Sequence, residues 1–140
     1  MALADLAACT RLVQAYDPDS LAASTDTSAE IDVRGYYEAL LIVNIGDLGS
    51  SATLDCKVQA ASTTGGSLSD ITGAAITQQT QAGTDASNSV VVGRILCNGT
   101  DPFWKVITTV GVAASEISVS VLLIPYNTGD TDNTTMDFTV

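Results

Sequence analysis

The fold class is decided by the stretch Ala52-Thr-Leu-Asp-Cys-Lys-Val-Gln-Ala60, in which apolar and polar residues alternate. This period of two predicts a strand with Leu54, Cys56 and Val58 on a buried face and polar residues on the other. The preceding run, Glu38-Ala-Leu-Leu-Ile-Val-Asn-Ile45, is apolar on both faces, which is typical of a strand covered on each side. Turn-rich segments flank both runs, so the chain is predicted to consist of consecutive strands and turns.

The rest of the chain repeats this pattern of short strands. Further strands are predicted at residues 10–16, 30–33, 90–97, 103–110 and 116–124, with shorter strand pieces at 68–71 and 74–78. No interior segment has a convincing helical pattern.

Turn and loop residues separate these strands. Asp17-Pro-Asp-Ser20 is predicted to form a β-turn that closes the first strand, because Pro favours a turn corner. The Asn98-Gly99 pair is expected to make a tight turn with positive φ. The polar segments 24–28 and 79–88 are predicted to be loops.

Short strands with a turn about every 8 to 12 residues predict an all-β fold. We expect an antiparallel β-sandwich of the jelly-roll or immunoglobulin-like kind. Residues 1–9 are predicted to form a short flexible N-terminal arm, residues 10–126 the β-sandwich domain, and residues 127–140 a flexible acidic tail. A single domain of this size buries roughly 68 to 70% of the surface of its extended chain, so a stable core needs neither disulfides nor metals.

Charge excludes two classes of partner. Sixteen Asp and Glu residues oppose five Lys and Arg residues, which gives a net charge of −11. Scattered cations cannot displace the counterions of a phosphate backbone, so we expect no nucleic-acid partner and no anionic membrane partner. The acidity is interpreted either as a device for solubility or as a means of docking to a basic surface.

The apolar content is aliphatic. Hydrophobic residues make up 46% of the chain but aromatic residues only 5%, and the mean hydropathy is +0.28. Small aliphatic side chains suit packed sheets better than a ligand pocket, which usually has aromatic walls. The apolar excess also favours surface that other subunits cover.

No catalytic chemistry is expected. The chain has no His, which removes the usual general base and the commonest metal ligand, and it has no phosphate loop or nucleophile elbow. Asp130-Thr-Asp-Asn133 matches only the opening of a calcium loop, because the central Gly and the bidentate Glu are absent. We therefore predict that the protein is not an enzyme and has no catalytic residue, metal site or cofactor. A carboxylate pair for glycoside hydrolysis stays open, since such pairs assemble only in three dimensions.

The three cysteines and the N-terminal sequence bear on the cellular compartment. Cys56 and Cys97 are predicted to be small buried hydrophobic residues, and nothing near Cys9 in the sequence would lower its pKa. The first eight residues have no basic segment and include Asp5, which favours neither a signal peptide nor a membrane span. Synthesis in a reducing cytoplasm is expected.

Candidate contact residues lie mainly towards the two ends of the sequence, because terminal segments order readily on docking. Trp104, the single Trp, is typical of an interface centre and also of a core residue, and the core interpretation is favoured. The predicted partner contacts are Leu3, Leu6, Arg11, Trp104, Met136 and Phe138.

Four segments resemble a family of small β-sandwich structural proteins of tailed bacteriophages. They are Tyr37-Glu-Ala-Leu-Leu-Ile-Val-Asn-Ile-Gly46, Ala52-Thr-Leu-Asp-Cys-Lys-Val-Gln59, Asp70-Ile-Thr-Gly-Ala-Ala-Ile-Thr77 and Val92-Gly-Arg-Ile95. The resemblance extends over residues 23–125 and carries no catalytic signature. It implies a virion component, most like a capsid decoration (cement) protein that binds the outside of the head.

The resemblance also implies partners and a location. It implies binding to the major capsid protein, assembly as a homotrimer, synthesis in the host cytoplasm and a final position on the virion head exterior. The acidic C-terminal extension and the Ala-rich N-terminus depart from the shorter members, which leaves the virion position open. Two alternatives remain: a head-tail connector or tail protein, and a carbohydrate-binding adhesion module. The few aromatic candidates for stacking on sugars are Tyr36, Tyr37, Trp104 and Tyr126.

Overall fold

The structure is a computed structural model and describes residues 10–125. Within these residues the chain forms ten strands and no helix, as the alternating pattern predicts. The strands are β1 (Arg11–Leu21), β2 (Thr25–Thr27), β3 (Ile31–Asp32), β4 (Tyr36–Leu48), β5 (Thr53–Ala61), β6 (Ser69–Ala75), β7 (Gln79–Thr80), β8 (Ser89–Leu96), β9 (Phe103–Gly111) and β10 (Ser115–Pro125). The predicted arm (1–9) and tail (127–140) lie outside the described residues.

The strands form two antiparallel sheets. The first sheet has the order β1-β10-β4-β8, and the second has the order β2-β9-β5-β6. Strand β3 also pairs with β9, beyond the end of β2, and β7 also pairs with β5, beyond the end of β6. Because β2 and β3 share one strand position and β6 and β7 share another, each sheet has four positions.

The connections make this sandwich a jelly roll. With the eight positions numbered in chain order, the first sheet reads 1-8-3-6 and the second reads 2-7-4-5. Between successive positions, the chain therefore changes sheet at every connection except the one from β5 to β6. Such repeated crossing between two four-stranded sheets is the topology of a jelly roll. The predicted antiparallel β-sandwich is confirmed, and of its two kinds the jelly roll is the one formed.

The core lies between the two sheets and is built from alternate residues of their strands. In β5 every second side chain is buried, as predicted for Leu54, Cys56 and Val58. Trp104 is also in the core, where its indole Nε1 donates a hydrogen bond to the Asp101 carbonyl at 3.0 Å. This bond satisfies the one polar atom of the ring. Other fully buried side chains are Val33, Leu41, Val43, Val106, Thr108, Val119, Val121 and Leu123.

Two predicted turns are wrong because longer-range pairing overrides the local signal. Strand β1 continues through Pro18 to Leu21, and two register shifts between Gln14 and Asp19 accommodate it against β10. Proline lacks an amide donor but is tolerated at a bulge of an edge strand. Neither Asn98 nor Gly99 has a positive φ.

The Asn98-Gly99 segment fails as a hairpin turn because its flanking strands belong to different sheets. Strand β8 is in the first sheet and β9 is in the second, so the segment is a crossover. The Asn98 side chain organises it instead, because Oδ1 accepts hydrogen bonds from the amides of Thr100 at 3.2 Å and Asp101 at 2.9 Å. This is the local side-chain bonding that Asn favours in turns.

The two predicted loops each contain a short strand, and Ser28 explains one of them. Residues 24–28 include β2, and residues 79–88 include β7. Ser28 is buried, and its amide donates to the Val106 carbonyl at 2.9 Å. Its Oγ accepts from the Val106 amide at 2.9 Å and donates to the Ala29 carbonyl at 2.8 Å. The Ser28 hydroxyl thus accepts the β9 amide that has no backbone acceptor between β2 and β3.

We predict that Ser28→Ala lowers the free energy of unfolding by about 1 to 2 kcal/mol, because the buried Val106 amide loses its acceptor. Urea unfolding monitored by Trp104 fluorescence measures this loss. The matched control is Ser62→Ala at an exposed bend after β5, which should change stability by less than about 0.5 kcal/mol. Equal effects of the two substitutions would contradict the assigned role of Ser28.

Candidate functional site

The outer face of the first sheet is apolar, although nothing within residues 10–125 covers it. Side chains alternate across a strand, so the residues between the buried positions of β10, β4 and β8 point outwards, and the register with β10 gives the outward residues of β1. The strand register places Leu12 beside Leu122 and Leu122 beside Leu40, in a row across three strands. We define the apolar outer face by its eight outward aliphatic residues: Leu12, Leu40, Ile42, Val90, Val92, Leu96, Leu122 and Ile124.

Exposure on this face is greatest along its two edge strands. Leu12 on β1 is 64% exposed, and Val90, Val92 and Leu96 on β8 are 59%, 56% and 55% exposed. These are four of the five most exposed large hydrophobic residues among those described; the fifth is Val112. Contiguous exposed apolar surface is uncommon on monomers and marks sites of interaction.

The apolar outer face carries no net charge. Its outward positions include one acid and one base, Glu38 on β4 and Arg94 on β8. The guanidinium Nε of Arg94 donates to Glu38 Oε2, so the two charges neutralise each other. Arg94 stays 61% exposed at the edge strand, whereas Glu38 is 18% exposed. A partner that covers the eight aliphatic residues therefore meets no unpaired carboxylate among them. The other carboxylates of these strands, Asp17, Asp19, Asp47 and Glu116, lie at or beyond the row formed by Ser118, Asn44 and Val90.

The outer face of the second sheet is different, because polar side chains cover it. Lys57 Nζ lies 2.8 Å from Asp70 Oδ1, and Gln59 Nε2 donates to the same oxygen at 2.7 Å. These two hydrogen bonds hold the pKa of Asp70 below its usual range. Gln78 Nε2 donates to Asp55 Oδ2 at 2.8 Å. The second sheet thus presents a solvated face, and the two outer faces of the sandwich are chemically unlike.

A cleft of about 550 Å³ lies beside the apolar outer face, where β1 bulges away from β10. Its lining includes the carboxylates Asp19 and Glu116 and the polar side chains Asn44 and Ser118. Asn44 Nδ2 donates to Ser118 Oγ at 3.4 Å. None of the residues that line the cleft is aromatic or cationic. The cleft can offer hydrogen bonds to a polar ligand but no stacking surface.

The described residues hold no arrangement for metal chemistry. No group of three or more His, Cys, Asp or Glu side chains within residues 10–125 is placed to bind a metal ion. No helix in the same residues is long and apolar enough to cross a membrane.

The two described cysteines lie in apolar surroundings. Cys56 is buried and accepts a hydrogen bond from Thr108 Oγ1 at 3.7 Å, and its burial raises its pKa to about 11. Cys97 is half-buried, and burial, with a smaller effect from the Glu38 charge, raises its pKa to about 11. The prediction that Cys56 is buried is confirmed. Both thiols stay protonated at neutral pH, which makes them poor nucleophiles.

Two of the predicted contact residues, Arg11 and Trp104, lie within the described residues. Arg11 is exposed at the start of β1. Its charge adds to the lowering of the Asp32 pKa, after the larger effect of hydrogen bonds from Arg34, so one end of the sandwich holds two cations. Trp104 is only 2% exposed, so the favoured interpretation of this residue as part of the core is confirmed. The remaining predicted contacts, Leu3, Leu6, Met136 and Phe138, lie outside the described residues.

The apolar outer face was missed at the sequence level. The run Glu38 to Ile45 predicted a strand covered on both sides, but within the described residues only its inward side is covered. The signal was present in two other strands. Val90 and Val92 occupy alternate positions of β8, and Leu122 and Ile124 occupy alternate positions of β10, opposite residues that face the core. Reading all three strands together would have indicated one apolar face.

No protein-family model matches this chain, and neither does any curated protein sequence. Solved structures share its fold. The VP2 subviral particle of infectious bursal disease virus matches 83% of this chain at 10% identity, with a TM-score of 0.56, and the match covers 32% of the VP2 chain. T=1 particles derived from the same virus match 83% of this chain at 9% identity, with a TM-score of 0.52, over 31% of that chain.

A third match is weaker. The SPBc2 prophage-derived protein YomS matches 82% of this chain at 16% identity over 92% of its own length, but its TM-score of 0.40 carries no argument. The chain spans about a third of the length of the two viral proteins. Identities near 10% show a shared fold alone.

We predict that Cys56 and Cys97 react with a thiol reagent at pH 8 about 100-fold more slowly in the folded protein than in urea. A pKa raised from 9.0 to about 11 lowers the thiolate fraction by about that factor. A Cys9→Ser variant reports these two thiols alone, by absorbance of the released chromophore. The same rise in pKa makes the free energy of unfolding depend on pH. The contribution of the buried neutral thiols to stability is fully present below pH 9 and is lost as the pH rises through 11. Rapid labelling of both thiols without unfolding would contradict the burial.

Proposed function

We propose that this chain is a structural component of a virion and acts as a capsid decoration protein on the outside of the head. The observation that carries the proposal is the apolar outer face: a jelly roll presents one uncovered aliphatic surface, and the described residues hold no metal-binding cluster. Such a molecule is suited to contact with other proteins. The resemblance of its segments to phage structural proteins supports the proposal, as does a fold shared with VP2 of a subviral particle.

The proposed mechanism is binding without chemical transformation. Each copy would bridge adjacent subunits of the major capsid protein, so that the shell resists outward pressure through many weak contacts made at once. Simultaneous weak contacts multiply, because after the first forms, the next is effectively intramolecular. A jelly roll suits this role, since the connections that cross between its sheets tie both sheets into one rigid unit.

The electrostatics suit docking on a surface of opposite sign. The chain carries a net charge of −11, while the charges of Arg11 and Arg34 both act on the carboxylate of Asp32 and lower its pKa, Arg34 through the larger effect of its hydrogen bonds. An acidic body is attracted over long range to basic capsid loops and is kept from adhering to other acidic copies in solution. In this proposal nucleic acid and membranes are not partners, and no cofactor is required.

A position at the head-tail connector or in the tail is the structural alternative, and copy number separates the two. A decoration protein covers the shell and is present in hundreds of copies, whereas a connector ring has about a dozen. Both numbers are expectations from the family resemblance.

A carbohydrate-binding module is the second candidate, and the cleft beside the apolar outer face favours it. Jelly rolls also occur in lectins. Asp19, Asn44 and Glu116 could bind sugar hydroxyls, although no aromatic residue lines this cleft. Binding of the isolated protein to a glycan array, abolished by Asn44→Ala, would replace the decoration proposal with this one.

We predict that virions from a genome encoding this chain carry it on the head exterior in hundreds of copies. Gold-labelled antibody raised against the folded protein locates it by electron microscopy, and quantitative mass spectrometry gives its ratio to the major capsid protein. The matched control is a virion from which the gene has been deleted. That particle should lose the label and should release its DNA at a lower temperature, because the shell lacks its external bridges.

Three results would contradict the proposal. They are a copy number near a dozen, a label confined to the tail, and a deletion virion with unchanged thermal stability. The first two would favour the connector or tail alternative, and the third would remove the stabilising role.

A further inference from the structure

We propose that the apolar outer face of the first sheet packs against the same face of a second copy of this chain. The inference extends the proposed function, and it rests on that function only for its biological setting. Contact between copies can occur and be measured without a virion. The argument draws on the shape, charge and area of the face.

Shape favours another sheet as the occupant. The face is a four-stranded twisted sheet with aliphatic side chains in register, including Leu122, Leu40 and Ile42 on its central strands. The natural complement to such a surface is a second sheet packed about 10 Å away, with its strands at about −30°. Within the molecule the inner face of the first sheet is already covered by a second sheet. Among the described residues, the chain has one apolar outer face to offer, so a second copy supplies the matching surface.

Charge determines where two copies can meet. Each chain carries −11, so most approaches between copies bring carboxylates together. The second sheet opposes such an approach, because its outer face carries Asp55 and Asp70. Among the eight aliphatic residues of the apolar outer face the one acid is Glu38, and Arg94 neutralises it. Asp47 and Glu116 lie beyond the row of Asn44 and Val90, towards one end of the sheet. The aliphatic part of the face is therefore where two like-charged copies can come into contact without facing unpaired carboxylates.

Area limits the strength of the contact. The β4–β8 ladder runs from Glu38 to Ile45, and the sheet has four strands. At about 3.3 Å per residue and about 4.8 Å per strand, the face covers roughly 500 Å² per copy. Two faces together bury roughly 1,000 Å², which is about the lower limit for a specific interface. Reversible association with a dissociation constant in the micromolar range is expected.

The sedimentation of three proteins over a wide concentration range tests the proposal. Wild type should change from monomer to a larger species, and Val92→Glu should weaken this association at least tenfold, because it buries a charge at the centre of β8. The matched control is Val112→Glu in the loop between β9 and β10. Val112 is even more exposed, at 72% against 56% for Val92, but lies off the face. This control should associate as wild type does.

Salt gives a second and independent signature. Raising the salt from about 50 mM to about 500 mM should strengthen self-association, because it screens the repulsion between acidic copies without weakening apolar contact. An interface formed by attraction between opposite charges would weaken instead. Thermal unfolding of both variants within a few degrees of wild type shows that the substitutions act on association and not on folding.

Several results would overturn the inference. They are a wild-type chain that stays monomeric at several hundred micromolar, association that Val92→Glu leaves unchanged, and association that falls with added salt. The virion experiment fails independently. A chain that is monomeric in solution yet present on heads would end this inference and leave the proposed function standing. A chain that associates through this face but is absent from virions would do the reverse.

Discussion

The structure depends on the contact between the inward aliphatic side chains of its two sheets. Val43 and Val119 of the first sheet and Leu54 and Val106 of the second are all fully buried in this contact. Because successive residues of a strand point to opposite faces, filling the core fixes which residues point outwards. The surface of the molecule is thus determined at the same time as its core. A shift of one residue in any central strand would exchange the two.

This coupling explains why the two outer faces differ. Strand β5 alternates strictly, so burying Leu54 places Asp55 and Lys57 in water. Strands β4, β8 and β10 carry aliphatic residues at both sets of positions, so burying Leu41 and Val121 leaves Leu40 and Leu122 on the surface. The apolar outer face cannot be removed by rearranging these strands, since the opposite face would then be apolar instead. The amino-acid sequence itself thus requires one uncovered apolar face, which is a reason to assign that face a role.

The sequence was sufficient to predict the fold class and most strand positions, because alternation is a local signal. It could not predict which sheet a strand joins, since that depends on pairing between distant residues. The Asn98-Gly99 pair shows the difference: its local preference for a hairpin turn is overridden because β8 and β9 lie in different sheets. Strand β2 depends on Ser28 meeting Val106, a contact across 78 residues. The apolar outer face could not be predicted from any one strand, because its residues come from strands that are distant in the sequence and become neighbours only in the sheet.

The Glu38–Arg94 pair shows how an apolar face can include charges without preventing contact. An exposed ion pair contributes little to stability, about 0 to 1 kcal/mol, and a pair buried at an interface centre incurs a large desolvation cost. Arg94 is on the edge strand β8 and is 61% exposed, so a partner that covers the aliphatic residues of the face would leave its charge near the rim. Rim charges affect orientation and association rate more than affinity. The aliphatic residues of β4, β8 and β10 would then provide the attraction, and the ion pair would restrict the relative orientation of the two molecules.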